Sequence, residues 1–173
     1  FFYQEQMGFS PLETAWLFTP WPLAIMLVGP LAGRLADRVN PSLLSSTGLM
    51  LLIIGLVALA LVDESTGVAG SLWRTALCGI GFGLFQPPNN REMMGSLPPE
   101  RSANVSGVMS TTRTVGQSFG VALVGAALAL GSPIQVTLWL GAGTTVLALL
   151  ASLSRVSLAQ RALDERRASS VGK

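Results

Sequence analysis

Polar residues in this chain are gathered into short knots between long uncharged runs. Residues 14–32, 39–62 and 114–154 contain no Asp, Glu, Lys or Arg. Between the first two runs lies Gly33-Arg34-Leu35-Ala36-Asp37-Arg38. An apolar run of about 20 residues suits a helix crossing the hydrocarbon core of a bilayer, and a basic knot between two such runs marks a cytoplasmic loop. The run 114–154 is about twice the length one crossing needs, so it must fold back. The pattern predicts an all-α, polytopic membrane bundle with five spans, over about 11–31, 41–62, 72–94, 103–130 and 134–154, and a cytoplasmic tail at 155–173.

Local signals place the ends. Ser10-Pro11-Leu12-Glu13 combines a capping serine, a proline at the first helical position and a glutamate able to reach back to the cap. Asn40 precedes Pro41 in the same manner, and Gly131-Ser132-Pro133 marks the fold-back, with Ser132 capping and Pro133 opening the last helix. Pro20, Pro22 and Pro30 lie inside the first span, where a membrane tolerates them as kinks. Trp73 suits an interface anchor, and the spacings Gly29-x-x-x-Gly33 and Gly116-x-x-x-Gly120 suggest close helix contacts.

Charge tests the topology. Arg34, Arg38, Arg91, Arg101 and the tail residues Arg155, Arg161, Arg166, Arg167 and Lys173 all fall on one side, which the positive-inside rule makes cytoplasmic. Asp63 and Glu64 fall in an outer turn, Arg74 at an outer helix end, and Arg113 within a span.

Composition agrees with lipid as the solvent. The 173 residues are 50% hydrophobic and 12% charged, with a mean hydropathy of +0.54, against about 25% charged in soluble domains. The net charge of +2 comes from scattered loops rather than a basic patch with interleaved aromatics, which argues against nucleic-acid binding. There is one cysteine, Cys78, and no histidine. No disulfide, metal site or His-based catalytic group is expected, and no cofactor. A serine protease would need a His or Lys partner, and the one lysine is Lys173 in the tail. Nothing in the chain points to an enzyme. Phe1-Phe2-Tyr3-Gln4 reads as the tail of an earlier helix, so the expectation is the carboxy-terminal piece of a longer protein.

The knot at 33–38 resembles the loop motif G-x-L-a-D-r-x-G-r of the major facilitator superfamily, with Asn40 where that motif has Gly and Pro41 where it has a basic residue. Gly8-Phe9-Ser10-Pro11-Leu12-Glu13, Gly79-Ile80-Gly81-Phe82-Gly83, Pro99-Glu100-Arg101-Ser102-Ala103-Asn104 and Thr112-Arg113-Thr114-Val115-Gly116-Gln117 look like the later half of its fourteen-helix drug:proton antiporters. The resemblance covers nearly the whole chain. It implies the last five helices of a secondary active transporter that exports small amphipathic compounds by alternating access, set in a bacterial plasma membrane. The implied partners are the lipid bilayer, a small-molecule substrate, the proton and the missing amino-terminal half. The alternative is a non-transporting helical subunit or a truncated product, and the loop motif is what discriminates against it.

Three groups of residues follow as site candidates. Gly33, Asp37 and Arg38 belong to the loop motif, and the resemblance implies that Asp37 and Arg38 latch neighbouring helices; the bland alternative is an ordinary charged loop. Arg113 lies about 15 Å into its span at about 1.5 Å per residue, with Gln117 one turn on. A charge at that depth points to function, unless the side chain snorkels to the interface or locks helices together. Gln86, Asn89 and Asn90, beside Pro87 and Pro88, either line the pathway at a broken helix or mark its headgroup end. No carboxylate lies mid-span, so a coupling acid is expected in the missing part.

Overall fold

The computed structural model describes residues 10–62, 66–95 and 102–171, with side chains except at 11–14, 102–105 and 155–171. Six helices make up this part of the chain: α1 (Pro11–Phe18), α2 (Pro20–Leu35), α3 (Pro41–Ala60), α4 (Val68–Gly95), α5 (Ser102–Ala129) and α6 (Ile134–Val171). Residues 1–4, the acidic turn at 63–65 and the Pro99-Glu100-Arg101 loop lie outside the described residues, as does the Glu13 side chain.

The first span is divided at Thr19, between α1 and α2. Pro20 and Pro22 have no N–H to offer the preceding turn, so the carbonyls of Trp16 and Phe18 lose their helical donors. Thr19 keeps helical angles (φ −56°, ψ −37°), and its hydroxyl donates to the Ala15 carbonyl at 2.9 Å. Ala15–Leu35 therefore remains one stretch able to cross a membrane. Helix α2 continues to Leu35, which makes Gly33 and Arg34 helical and leaves a connection of residues 36–40. Asn40 caps α3 by accepting from the Ser42 amide at 3.0 Å.

Helix α4 runs unbroken through Pro87 and Pro88 to Gly95. Both prolines fit helical φ, and Pro88 is fully buried, so packing compensates for the two missing donors. Helix α5 closes in a Schellman turn: Gly131, at φ +76°, donates to Leu128 at 2.9 Å, and Ser132 donates to Ala127 at 3.0 Å. Gly131 is needed here because a side chain is strained at that φ. Helix α6 begins one residue after Pro133 and continues as helix through 155–171.

Among the described residues four stretches are long and apolar enough to cross a membrane: Ala15–Leu35, Pro41–Ala60, Val68–Gly95 and Ile134–Ser154. The expected fifth span over 103–130 falls on α5. Helix α5 has the length, 28 residues, but serines, threonines, Arg113 and Gln117 fill its first half.

Helix α4 is the centre of the bundle, packed against α2 on one side and α3 on another, with α6 against α3. The seams are built from small residues. Cβ atoms added at Gly79 and Gly83 would meet α2, the first at 2.5 Å from the Trp21 carbonyl. One added at Gly81 would stand 2.5 Å from the Leu52 amide of α3. Gly48 and Gly55 on α3 are equally tight against Phe85 and Cys78. Such approach of backbones substitutes for the hydrophobic drive that lipid does not supply. Ser46 and Ser152, both buried, share a hydrogen bond of 3.0 Å between α3 and α6. The two spacings singled out from sequence do not take part: Cβ atoms at Gly29, Gly33, Gly116 and Gly120 would meet nothing within 4 Å. Helix α5 packs loosely against α4 and α6, and Phe119 and Val121 on it are 70% and 73% exposed.

Candidate functional site

Helices α4 and α5 line an open cavity of about 680 Å³. Each helix presents one face to it. On α4 that face is Phe82, Phe85, Gln86, Asn89 and Met93, at spacings of three and four. On α5 it is Met109, Thr112, Arg113, Gly116 and Gln117, at the same spacings, with Asn90 and Val108 at the edges. All five polar residues proposed from sequence as pathway residues, Gln86, Asn89, Asn90, Arg113 and Gln117, are on this wall. A smaller cavity of about 220 Å³ adjoins it and shares Asn90, Met109 and Arg113.

Arg113 joins the two helices. Its Nη2 donates to Asn90 Oδ1 at 3.4 Å. Gln86, with its amide oxygen facing α5, accepts from Nη1 at 3.0 Å and from Nη2 at 3.2 Å. Asn89 Nδ2 contacts the Met93 sulfur at 3.7 Å, along the same wall. Arg113 itself is exposed to the cavity, and both its partners are neutral. Phe82 and Phe85, with ring centroids 6.3 Å apart, supply the apolar floor.

The basic end of the bundle holds the loop-motif residues. Asp37 accepts from Arg91 on α4, so the motif carboxylate ties the α2–α3 connection to the last turns of α4. Arg38 is exposed and makes no ion pair among the described residues. Gly33 has open space around its Cα. Next to Arg91, Glu92 accepts from the Ser42 hydroxyl at the start of α3. Sequence reasoning counted Arg91 only as a loop cation and passed over Glu92. Partners some 50 positions away in the chain leave no local sequence signal that could have found them. Both members of the Asp37–Arg91 pair are more than half exposed, and exposed pairs contribute at most about 1 kcal/mol. Asp37→Asn is therefore expected to lower the thermal midpoint of the purified full-length protein by a few degrees at most, by intrinsic tryptophan fluorescence. A collapse of the fold would mean that this pair carries far more than its exposure allows.

Among the described residues no three His, Cys, Asp or Glu side chains gather as a metal site. Several bilayer-length helices around small-residue seams, with a polar cavity beside them, define an integral membrane helix bundle. The family follows from comparison with known proteins. A model of the Major Facilitator Superfamily matches residues 1–121, and the chain belongs to that superfamily. It is 48% identical over 124 residues to the "Uncharacterized transporter YebQ" of Escherichia coli K12, covering 72% of this chain and 27% of that protein. It is 34% identical over 128 residues to the "Multidrug resistance protein Stp" of Mycobacterium tuberculosis H37Rv, covering 74% of this chain and 24% of that one. With the "Quinolone resistance protein NorB" of Staphylococcus aureus JH9 it shares 24% identity over 158 residues, 86% of this chain and 34% of NorB. The chain spans about a quarter of the length of the first two relatives. No solved structure matches.

Proposed function

We propose that this chain is the carboxy-terminal part of a secondary active transporter that exports small amphipathic compounds in exchange for protons, by alternating access. The observation that carries this reading is the α4–α5 cavity, where a guanidinium and four side-chain amides face an aromatic and Met-rich floor. Such a wall holds a compound that is apolar over most of its surface and polar at one end. Relatives named for multidrug and quinolone resistance support the same class of cargo. In this reading residues 1–154 form the bundle, residues 155–173 a cytoplasmic tail, and the basic end of the bundle faces the cytoplasm. The second wall of the pathway comes from the amino-terminal half. No carboxylate lines the cavity on this side, so the coupling acid belongs to that half as well. The protein performs no chemistry on its cargo.

The test is efflux of a fluorescent amphipathic compound from cells stripped of their own pumps and expressing the full-length gene. Efflux above the vector control that stops when an uncoupler is added is the expected result. Efflux that ignores the uncoupler would remove the proton from the account, and no efflux of any compound would favour a non-transporting membrane subunit.

A further inference from the structure

Arg113 lacks a counter-ion among the described residues. It is the one charged side chain lining either cavity, and each group it binds is a neutral amide oxygen. Three of its five N–H donors are taken by those contacts, and two are left. Arg113 stands on the wall of an open cavity with neutral partners alone, and charged side chains within membrane proteins normally pair. The strongest partner for it is a carboxylate: by displacing the long Asn90 contact of 3.4 Å it would free one Nη2 hydrogen, and the flat guanidinium fork could then meet two oxygens at once. The amide of Gln86 holds the guanidinium in place from α4, which lowers the entropic cost of forming that pair.

The remainder of the lining describes the rest of the ligand. Phe82, Phe85, Val108, Met109 and Met93 form an apolar surface next to Arg113, and the methionines adapt to irregular shapes. The volume of about 680 Å³ falls within the range that holds small organic ligands. An ammonium group, by contrast, would find no carboxylate here and would face a like charge.

We propose that the α4–α5 cavity selects amphipathic organic anions, with Arg113 gripping the ligand's carboxylate and the Phe82–Phe85 floor taking its apolar body. That such a ligand is also carried across the membrane rests on the transporter reading above; the binding preference does not. The same chemistry has a second source, an acidic side chain from the rest of the longer polypeptide, and that pairing would erase the preference.

The experiment uses the full-length protein in nanodiscs of zwitterionic lipid, with empty nanodiscs as the blank, and two probes of equal apolar body, pyrenebutyrate and pyrenebutylammonium. Binding is read by fluorescence anisotropy at neutral pH. The carboxylate is expected to bind about tenfold to a hundredfold more tightly than the ammonium, the span of one charge-assisted hydrogen-bonded pair. Arg113→Gln should abolish that preference, and Arg113→Lys should retain part of it, since it keeps the charge but not the fork. Equal or tighter binding of the ammonium by the unmodified protein overturns the proposal, and this arm needs no variant to fold. A preference that survives Arg113→Gln overturns it too. Transport is then followed in proteoliposomes under a proton gradient. Movement of the ammonium with refusal of the carboxylate overturns the anion preference and leaves the transporter reading intact. Tight anion binding without movement of either probe leaves the preference intact and overturns the transporter reading.

Discussion

Gly81→Leu is expected to remove most of the folded protein from the membrane. A Cβ at this position would lie 2.5 Å from the Leu52 amide nitrogen, 2.9 Å from its Cα and 2.8 Å from the Gly48 carbonyl oxygen. All three are backbone atoms, so no side chain can turn aside. The helices α3 and α4 would have to part, and with them the central seam of the bundle. Overpacking a well-packed core costs about 1–3 kcal/mol where side chains can yield, and here they cannot, so a cost of about 3 kcal/mol or more is expected. That is roughly a hundredfold shift in the folded fraction. Fluorescence-detected size exclusion of the full-length protein in detergent reads it directly, as loss of the monodisperse peak. Gly29→Ala is the matched control, because a Cβ there meets nothing within 4 Å and alanine favours helix. Gly81→Leu with a normal peak would show that α3 and α4 do not approach as described.

These two glycines also show what the sequence could and could not say. The bundle, its helix starts at Pro11 and Pro41, the Asn40 cap of the second and the fold-back at Gly131 were legible, because proline, glycine and capping residues act locally and uncharged runs of bilayer length have few other uses. The seams were not. Gly29-x-x-x-Gly33 and Gly116-x-x-x-Gly120 have the familiar small-residue spacing yet face open space, whereas Gly48, Gly55 and Gly81 carry the contact. Spacing tells which residues share a helix face; it does not tell which face another helix will meet. Helix α5 was legible in its length and in the polar first half that lines the cavity. The cavity wall was partly legible, since Gln86, Asn89, Arg113 and Gln117 stand out against apolar surroundings. The ties of Asp37 to Arg91 and Ser42 to Glu92 join residues about 50 positions apart, and no local pattern pairs such charges.

Arg113→Ala is expected to leave the amount of full-length protein in the membrane nearly unchanged while reducing efflux about tenfold to a hundredfold. The first half follows from its surroundings. Arg113 is exposed, its partners Gln86 and Asn90 are neutral amides on the wall of an open cavity, and both retain access to that space when it is gone. No buried charge is orphaned by the change, so the large penalties of broken buried ion pairs do not apply. The second half follows from what the guanidinium does in the proposed cycle. It bridges α4 and α5 from within the cavity and offers the one full charge there to a ligand, an interaction of about 1.5–3 kcal/mol when the acceptor is ionised. Efflux normalised to membrane abundance separates the two effects. Low abundance with normal efflux per molecule would make Arg113 a structural tie between α4 and α5. Normal abundance with low efflux, partly restored by Arg113→Lys, is the signature of a charge used in transport, because lysine returns the charge without the planar fork that grips two oxygens at once.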